Sequence, residues 1–359
     1  MAQETKTMGK LGRRAAEQQS KLSIDRLCVI GHPSRLGGAD TELDHQIHCW
    51  QAMGVEVHIC HTGDLDDNLR AMKLVERGCI YHEPRDWASL QGLHCISFCN
   101  GEYLKSLPEI RRFAKSTSWV NCMTWNFDEE IEMHAKGLID FHLYQTAHAY
   151  ARVSPALHDL GGYTPLMFTP YFHSADFPFR HARPRDRFRF GRISRCDPGK
   201  FGARQLWIYE TMTAPVLKEG LILGWDHRIE EKLGKPASYV KTLPAGDISQ
   251  REFYDFCDAV ILTTETFENL PRVGFEAMAS GSILIVDNRG GWQKLVEDGV
   301  TGWLCDDDRE FVYKASRCAF EISEREAMAR CAADRLRENW GLETSIESWG
   351  KVFEEWATL

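Results

Sequence analysis

The feature that most limits what this chain can become is an alternation. From Leu27 onward, short apolar and β-branched runs are separated by longer amphipathic stretches. Such a pattern is that of an α/β protein with parallel sheets. Strands are expected at Leu27–Gly31, Val55–Cys60, His94–Cys99, Trp119–Met123, Ile139–Tyr144 and Leu166–Thr169, then at Phe188–Ile193, Gly220–Gly224, Tyr239–Leu243, Ala259–Thr263 and Ser282–Asp287. The series is interrupted at PFRHARPRDRFRFGR, residues 178–192, where two prolines and six arginines mark a linker. Four parts are therefore expected: a flexible basic tail at 1–22, one Rossmann-like domain at 23–178, a second at 179–340, and a final helix at 341–359. That helix carries Ile346, Trp349, Val352, Phe353 and Trp356 at helical spacing and must bury the stripe. Two doubly wound units facing a cleft is the expected architecture, with ligand at the carboxyl ends of the strands.

Composition removes several classes. With 43% hydrophobic and 26% charged residues the chain is neither disordered nor fibrous. A formal charge of −9 disfavours a nucleic-acid-coating protein, although modified DNA bases stay open as a target. The twelve cysteines are scattered without a C-x-x-C pair, which fits reduced thiols in a reducing, cytoplasmic setting. No apolar run reaches membrane-spanning length, so a soluble or peripheral protein is expected. The basic tail is either merely solvated or a weak contact to anionic lipid or nucleic acid. No H-x-x-x-H with a metalloprotease glutamate, G-x-S-x-G or P-loop occurs.

The informative stretch is FENLPRVGFEAMASGSILIVDNRGGWQKLVEDGVTGWL, residues 267–304. A strand leads to a loop with Glu268, then Asn269, Leu270, Pro271 and Arg272, and a short helix carries Glu276, separated from Glu268 by seven residues, in EAMASG. Glu265 offers a second frame without that spacing. Carboxylates of this kind take charge-assisted hydrogen bonds from vicinal hydroxyls. The order of motifs resembles the retaining glycosyltransferases of the GT-B fold, the glycogen-synthase-like, family-4-like group with an E-x7-E motif. That resemblance implies a nucleoside-diphosphate sugar as co-substrate, no metal and no other cofactor. Glu268 would hold donor-sugar hydroxyls, Glu276 the ribose, and the amides near Leu270 the diphosphate.

The resemblance extends to FGRISRCDPGKF, residues 190–201, which implies that Arg192 and Lys200 clamp the diphosphate. Their separation is longer than usual in that group, and Arg195 competes with Arg192 for the contact. Gly37-Gly38, with Asp40 following, stands where the group has a glycine loop against phosphate. Two positions depart from the pattern: Lys294 replaces a glutamate, and VNCMTWNFDEE at 120–130 lacks the histidine expected near the reacting carbon. Trp125, Asn126 and Asp128, with Glu129 beside them, are the local candidates for an acceptor. Trp125 either stacks on a sugar or belongs to the core, and DEEIE reads as a helix start. Asp306-Asp307-Asp308 invites a metal but reads better as a turn. A retaining glycosyltransferase acting on a glycan or lipid-linked saccharide is expected, by front-face displacement. A nucleotide-sugar epimerase and a non-catalytic sugar-nucleotide binder are the rivals.

Overall fold

The computed structural model describes residues 23–31, 38–63 and 69–358. The tail expected at 1–22 and Gly37 lie outside them. The chain divides into two compact units: one runs up to Phe172 and takes in Leu342–Leu359, and the other is His173–Gly341. The division thus falls six residues before the expected boundary, and the Arg-rich segment belongs wholly to the second unit. Its later part is a strand, because Phe188 and Phe190 alternate with arginines and point into a core.

In the first unit the strands are β1 (Arg26–Ile30), β2 (Glu56–Cys60), β3 (Ile80–His82), β4 (His94–Phe98), β5 (Ser116–Val120), β6 (Phe141–Tyr144) and β7 (Pro165–Met167), in spatial order β3-β2-β1-β4-β5-β6-β7. All pairings are parallel. β3 escaped expectation because it is a three-residue, partly exposed edge strand with no apolar run. β5 begins three residues before the expected Trp119, since Ser116, Thr117 and Ser118 are fully interior despite their hydroxyls. Thr117 Oγ1 donates to the Leu138 carbonyl at 2.7 Å, which makes such burial tolerable.

The helix Leu342–Trp356 completes this unit's core. Trp349, Phe353 and Trp356 are fully buried, and Trp349 meets Trp50 edge-on with centroids 5.0 Å apart. Both indole N–H groups of this helix find an acceptor, Gln46 Oε1 at 2.9 Å for Trp349 and Ser116 Oγ at 2.6 Å for Trp356.

The second unit holds β8 (Arg187–Ile193), β9 (Leu217–Leu223), β10 (Val240–Leu243), β11 (Ala259–Leu262), β12 (Ile283–Asp287) and β13 (Trp303–Cys305), again all parallel, in order β10-β9-β8-β11-β12-β13. Strand order reverses between β8 and β11. The loops leaving the carboxyl ends of that pair are where a doubly wound sheet receives its ligand. The aspartate triple supports the fold here: Asp307 caps the helix Asp308–Phe320 by accepting from Arg309 N and Glu310 N at 2.8 and 2.9 Å. Asp306 accepts from Asn288, and Asp308 faces Arg204. Among the described residues no group of three His, Cys, Asp or Glu is arranged to hold a metal, and no helix is long and apolar enough to cross a membrane.

Candidate functional site

Two loops at the switch point of the second unit bring the expected residues together. The loop after β8 ends in a single 3-10 turn, Pro198–Lys200, and the loop after β11 carries Glu268. Lys200 Nζ lies 2.7 and 2.8 Å from the two carboxylate oxygens of Glu268, with the side chains 24% and 16% exposed. The pair is thus partly sheltered but reachable from water. Glu265, the alternative frame, is exposed and pairs with Lys232 instead.

Arg192 stands elsewhere than the clamp reading expects. It is fully buried at the end of β8, behind the Lys200 segment. Its Nη2 donates to the Lys200 carbonyl at 2.6 Å, and Nη1 donates to Gln205 Oε1 at 2.7 Å and the Thr263 carbonyl at 3.2 Å. The guanidinium also stacks over Phe201, 3.7 Å from the ring centroid. Burial lowers its pKa to about 10, which still leaves it cationic at neutral pH. Gln205, which nothing in its sequence context marked, is the hub. Its Oε1 also accepts from Thr263 N and Oγ1 at 3.0 and 3.1 Å, while Nε2 donates to the Ile261 carbonyl. Arg192 and Gln205 therefore tie the loops after β8 and β11 together from below. Arg195, the competitor, is exposed.

Glu276 lies on the helix Arg272–Ser280, which is buried on nearly every side and closed by Gly281 in the left-handed conformation, φ +78°. A carboxylate only 2% exposed needs partners. Tyr254 donates its hydroxyl to Oε2 at 2.8 Å, and Gln250 donates to Oε1 at 3.3 Å. Both come from the helix Gln250–Phe256, which opens with the S-x-x-E box Ser249/Glu252. Asn269, Leu270, Pro271 and Arg272 between the two glutamates are all buried, Pro271 capping the helix and Arg272 lying over Phe275.

Gly290-Gly291 explains how the Glu268 loop keeps its place. A Cβ on Gly291 would stand 1.6 Å from the Asn269 carbonyl oxygen, and one on Gly290, whose φ is +59°, would stand 2.7 Å from that of Glu268. Gly291 N also donates to the Glu268 carbonyl at 2.8 Å. The loop backbone rests directly on the glycines. Beside them Arg289, not singled out from the sequence, lies over Phe267, pairs with Asp287 at 3.8 Å and donates to the Thr264 carbonyl. Burial raises the Asp287 carboxyl, opposed by the Thr264 amide and then Arg289. Lys294 is exposed.

In the first unit, Gly38 opens the helix Gly38–Met53 and is exposed. The loop after β5 presents Trp125 with 54% of its surface exposed, so this tryptophan is not a core residue. Asp128, also exposed, starts the helix Asp128–Ala135, as the acidic run predicts. Asn126 is half-buried, and its Nδ2 has no hydrogen-bond partner among the described residues.

Two doubly wound parallel sheets, the second with a carboxylate and a lysine at its switch point, define a protein of the GT-B fold class. Residues 232–329, which hold both Glu268 and Glu276, match the family described as glycosyl transferases group 1. Among solved structures, Anabaena Alr3699/HepE in complex with UDP and glucose superposes with a TM-score of 0.70 at 15% identity, over 93% of this chain and 100% of that one. Two curated proteins of Bacillus subtilis (strain 168) align over short segments. Spore coat protein SA is 26% identical over 105 residues, 28% of this chain and 28% of its own length. YtcC is 38% identical over 68 residues, 19% of this chain and 16% of its own length. The alignments thus span less than a third of either relative.

Proposed function

We propose that this protein is a glycosyltransferase that moves a sugar from a nucleoside-diphosphate donor to an acceptor hydroxyl with retention of anomeric configuration. The observation that carries the reading is the Lys200–Glu268 pair at the carboxyl end of the β8/β11 switch point, with buried Glu276 on the following helix. The match of residues 232–329 to glycosyl transferases group 1, and the UDP and glucose held by HepE, support it.

The chemistry follows from charge. When the bond to the sugar breaks, negative charge grows on the leaving diphosphate, and a fixed cation there lowers the barrier. Lys200 supplies that cation. Arg192, buried behind it, holds the Lys200 backbone in place and adds positive potential through the interior. Glu268 takes donor-sugar hydroxyls and Glu276 takes the ribose, each by accepting charge-assisted hydrogen bonds. The amides at Leu270 and the start of the helix Arg272–Ser280 face the diphosphate. Front-face displacement, with the leaving diphosphate accepting the acceptor's proton, accounts for retention without a protein nucleophile. No divalent ion is required in this scheme, because Lys200 does the neutralising.

The test is incubation with UDP-, GDP- and ADP-sugars and a panel of saccharide acceptors, read by released nucleotide and by the anomeric proton of the product. Released nucleotide with a retained glycoside supports the reading. An isomerised donor identifies an epimerase, and nucleotide binding without turnover identifies a binder.

A further inference from the structure

Of the eleven tryptophans, nine are buried and Trp207 is half-buried; Trp125 alone is exposed, at 54%. It sits in a short turn, Asn121–Phe127, between β5 and the helix Asp128–Ala135. An exposed indole on a loose loop would be unremarked surface. This loop is tied at almost every residue. Asn121, itself fully buried, donates from Nδ2 to the Trp125 carbonyl at 3.0 Å and to Glu130 Oε2 at 2.9 Å, while its Oδ1 accepts from Met123 N at 2.8 Å. Glu130, also fully buried, accepts from Phe127 N at 3.2 Å, and Arg152 donates to the Thr124 carbonyl at 3.3 Å. The Phe127 ring closes the turn edge-on against buried Trp119, with centroids 5.6 Å apart.

Two interior polar side chains are thus committed to fixing the backbone on both sides of an indole left in water. Asn121 spends both ends of its amide and Glu130 its Oε2 on the turn, while Glu130 Oε1 lies 3.5 Å from His142 Nδ1, so the two side chains hold the loop in one shape. Its place matters as well. The loop leaves the carboxyl end of β5, and β5 adjoins β4, which pairs with β1 where this sheet's strand order reverses. That end of a doubly wound sheet is its ligand face.

We infer that Trp125 is a preformed stacking platform for a pyranose ring, and that the acceptor is accordingly a saccharide rather than a simple alcohol. This rests on the glycosyltransferase reading above. The chemistry fits a sugar better than a protein partner. An indole offers one flat apolar face to the C–H side of a hexose. Its neighbours Asn126 and Asp128 offer an amide and an exposed carboxylate to ring hydroxyls. A protein interface needs a broader apolar patch than one ring in a polar surround. Because the loop is already rigid, little ordering is paid on binding, which suits a weak, repeatedly exchanged acceptor.

The experiment uses the full chain with UDP and a panel of methyl pyranosides, read by saturation-transfer NMR, with UDP affinity measured separately by calorimetry. Wild-type protein is expected to saturate the C–H protons of at least one pyranoside. W125A should lower that signal about tenfold, as loss of a stacking contact implies, and W125F should restore most of it. A wild-type melting temperature and circular-dichroism spectrum in both variants show that they are folded. Equal saturation in wild-type and W125A, or no pyranoside signal while UDP binds, overturns the platform. Trp125-dependent pyranoside binding with no nucleotide binding overturns the transferase reading and leaves the platform standing.

Discussion

Lys200 and Glu268 are each other's partner, the ammonium nitrogen lying 2.7 and 2.8 Å from the two carboxylate oxygens. On the proposed reading, a diphosphate that reaches Lys200 competes with Glu268 for it, and its arrival frees the carboxylate for sugar hydroxyls. Donor binding and carboxylate release become one event.

Glu268→Gln separates those two roles. The neutral amide holds Lys200 less strongly, so bare UDP should bind at least as tightly as to wild type. Turnover should fall about tenfold to a hundredfold, the worth of one charge-assisted hydrogen bond. Calorimetry with UDP and steady-state kinetics check the two halves. Full turnover in the variant would remove Glu268 from the reaction.

Glu276→Ala should weaken UDP about tenfold to a hundredfold, because it removes the proposed ribose acceptor and strands the Tyr254 hydroxyl in the interior. Tyr254→Phe should cost less, since it only loosens the carboxylate. An unchanged UDP affinity in the alanine variant would disqualify Glu276 as the ribose contact.

Arg192→Ala tests a buried brace. Its loss leaves the Lys200 and Thr263 carbonyls and Gln205 short of a donor, at about 2–4 kcal/mol, or a melting temperature lower by roughly 5–10 °C. Turnover should drop with it. Normal melting with lost turnover would instead put the guanidinium on the diphosphate itself.

Acid should loosen the first unit through His94. Trp356 Nε1 donates to Ser116 Oγ, and that hydroxyl lies 2.7 Å from His94 Nδ1. Burial, with Lys115 assisting, lowers the His94 pKa to about 4. The unfolded chain thus binds the extra proton between roughly pH 4 and 6.5. Stability is full above that window and falls as the pH drops through it, by about 2 kcal/mol at pH 5. His82 and His142 are shifted in the same direction and add to the slope. Thermal melts at pH 7 and pH 5 should differ less in His94→Gln. An identical pH response would refute the assignment.

Excess chelator should leave transfer intact, since in the proposed scheme Lys200 neutralises the diphosphate, and Asp307 is engaged as a helix cap. Activity lost to EDTA and restored by one divalent ion would reverse that conclusion.

The parallel α/β alternation and the Glu268–Glu276 segment were legible because both are local patterns: period, spacing and turn residues. What escaped was set by burial. Spacing alone could not tell that Arg192 turns inward while Lys200 eight residues on stays reachable, nor that Gln205, far from both glutamates, would collect Arg192 and Thr263. Tyr254 sits too far upstream of Glu276 for any motif to join them. For Trp125 the sequence left a sugar contact and a place in the core both open, because indoles are usually interior, and only the fold shows this one held in water.

The return of Leu342–Trp356 to the first unit has a consequence for biosynthesis. A ribosome must add the whole of His173–Gly341 before Trp349, Phe353 and Trp356 exist to fill the waiting core, a delay of roughly ten to thirty seconds at ordinary elongation rates. Through that interval the nascent first unit carries an uncovered aromatic seat around Trp50 and Phe168. The second unit, whose strands and helices are contiguous in the chain, has all its parts before the first unit has its last helix.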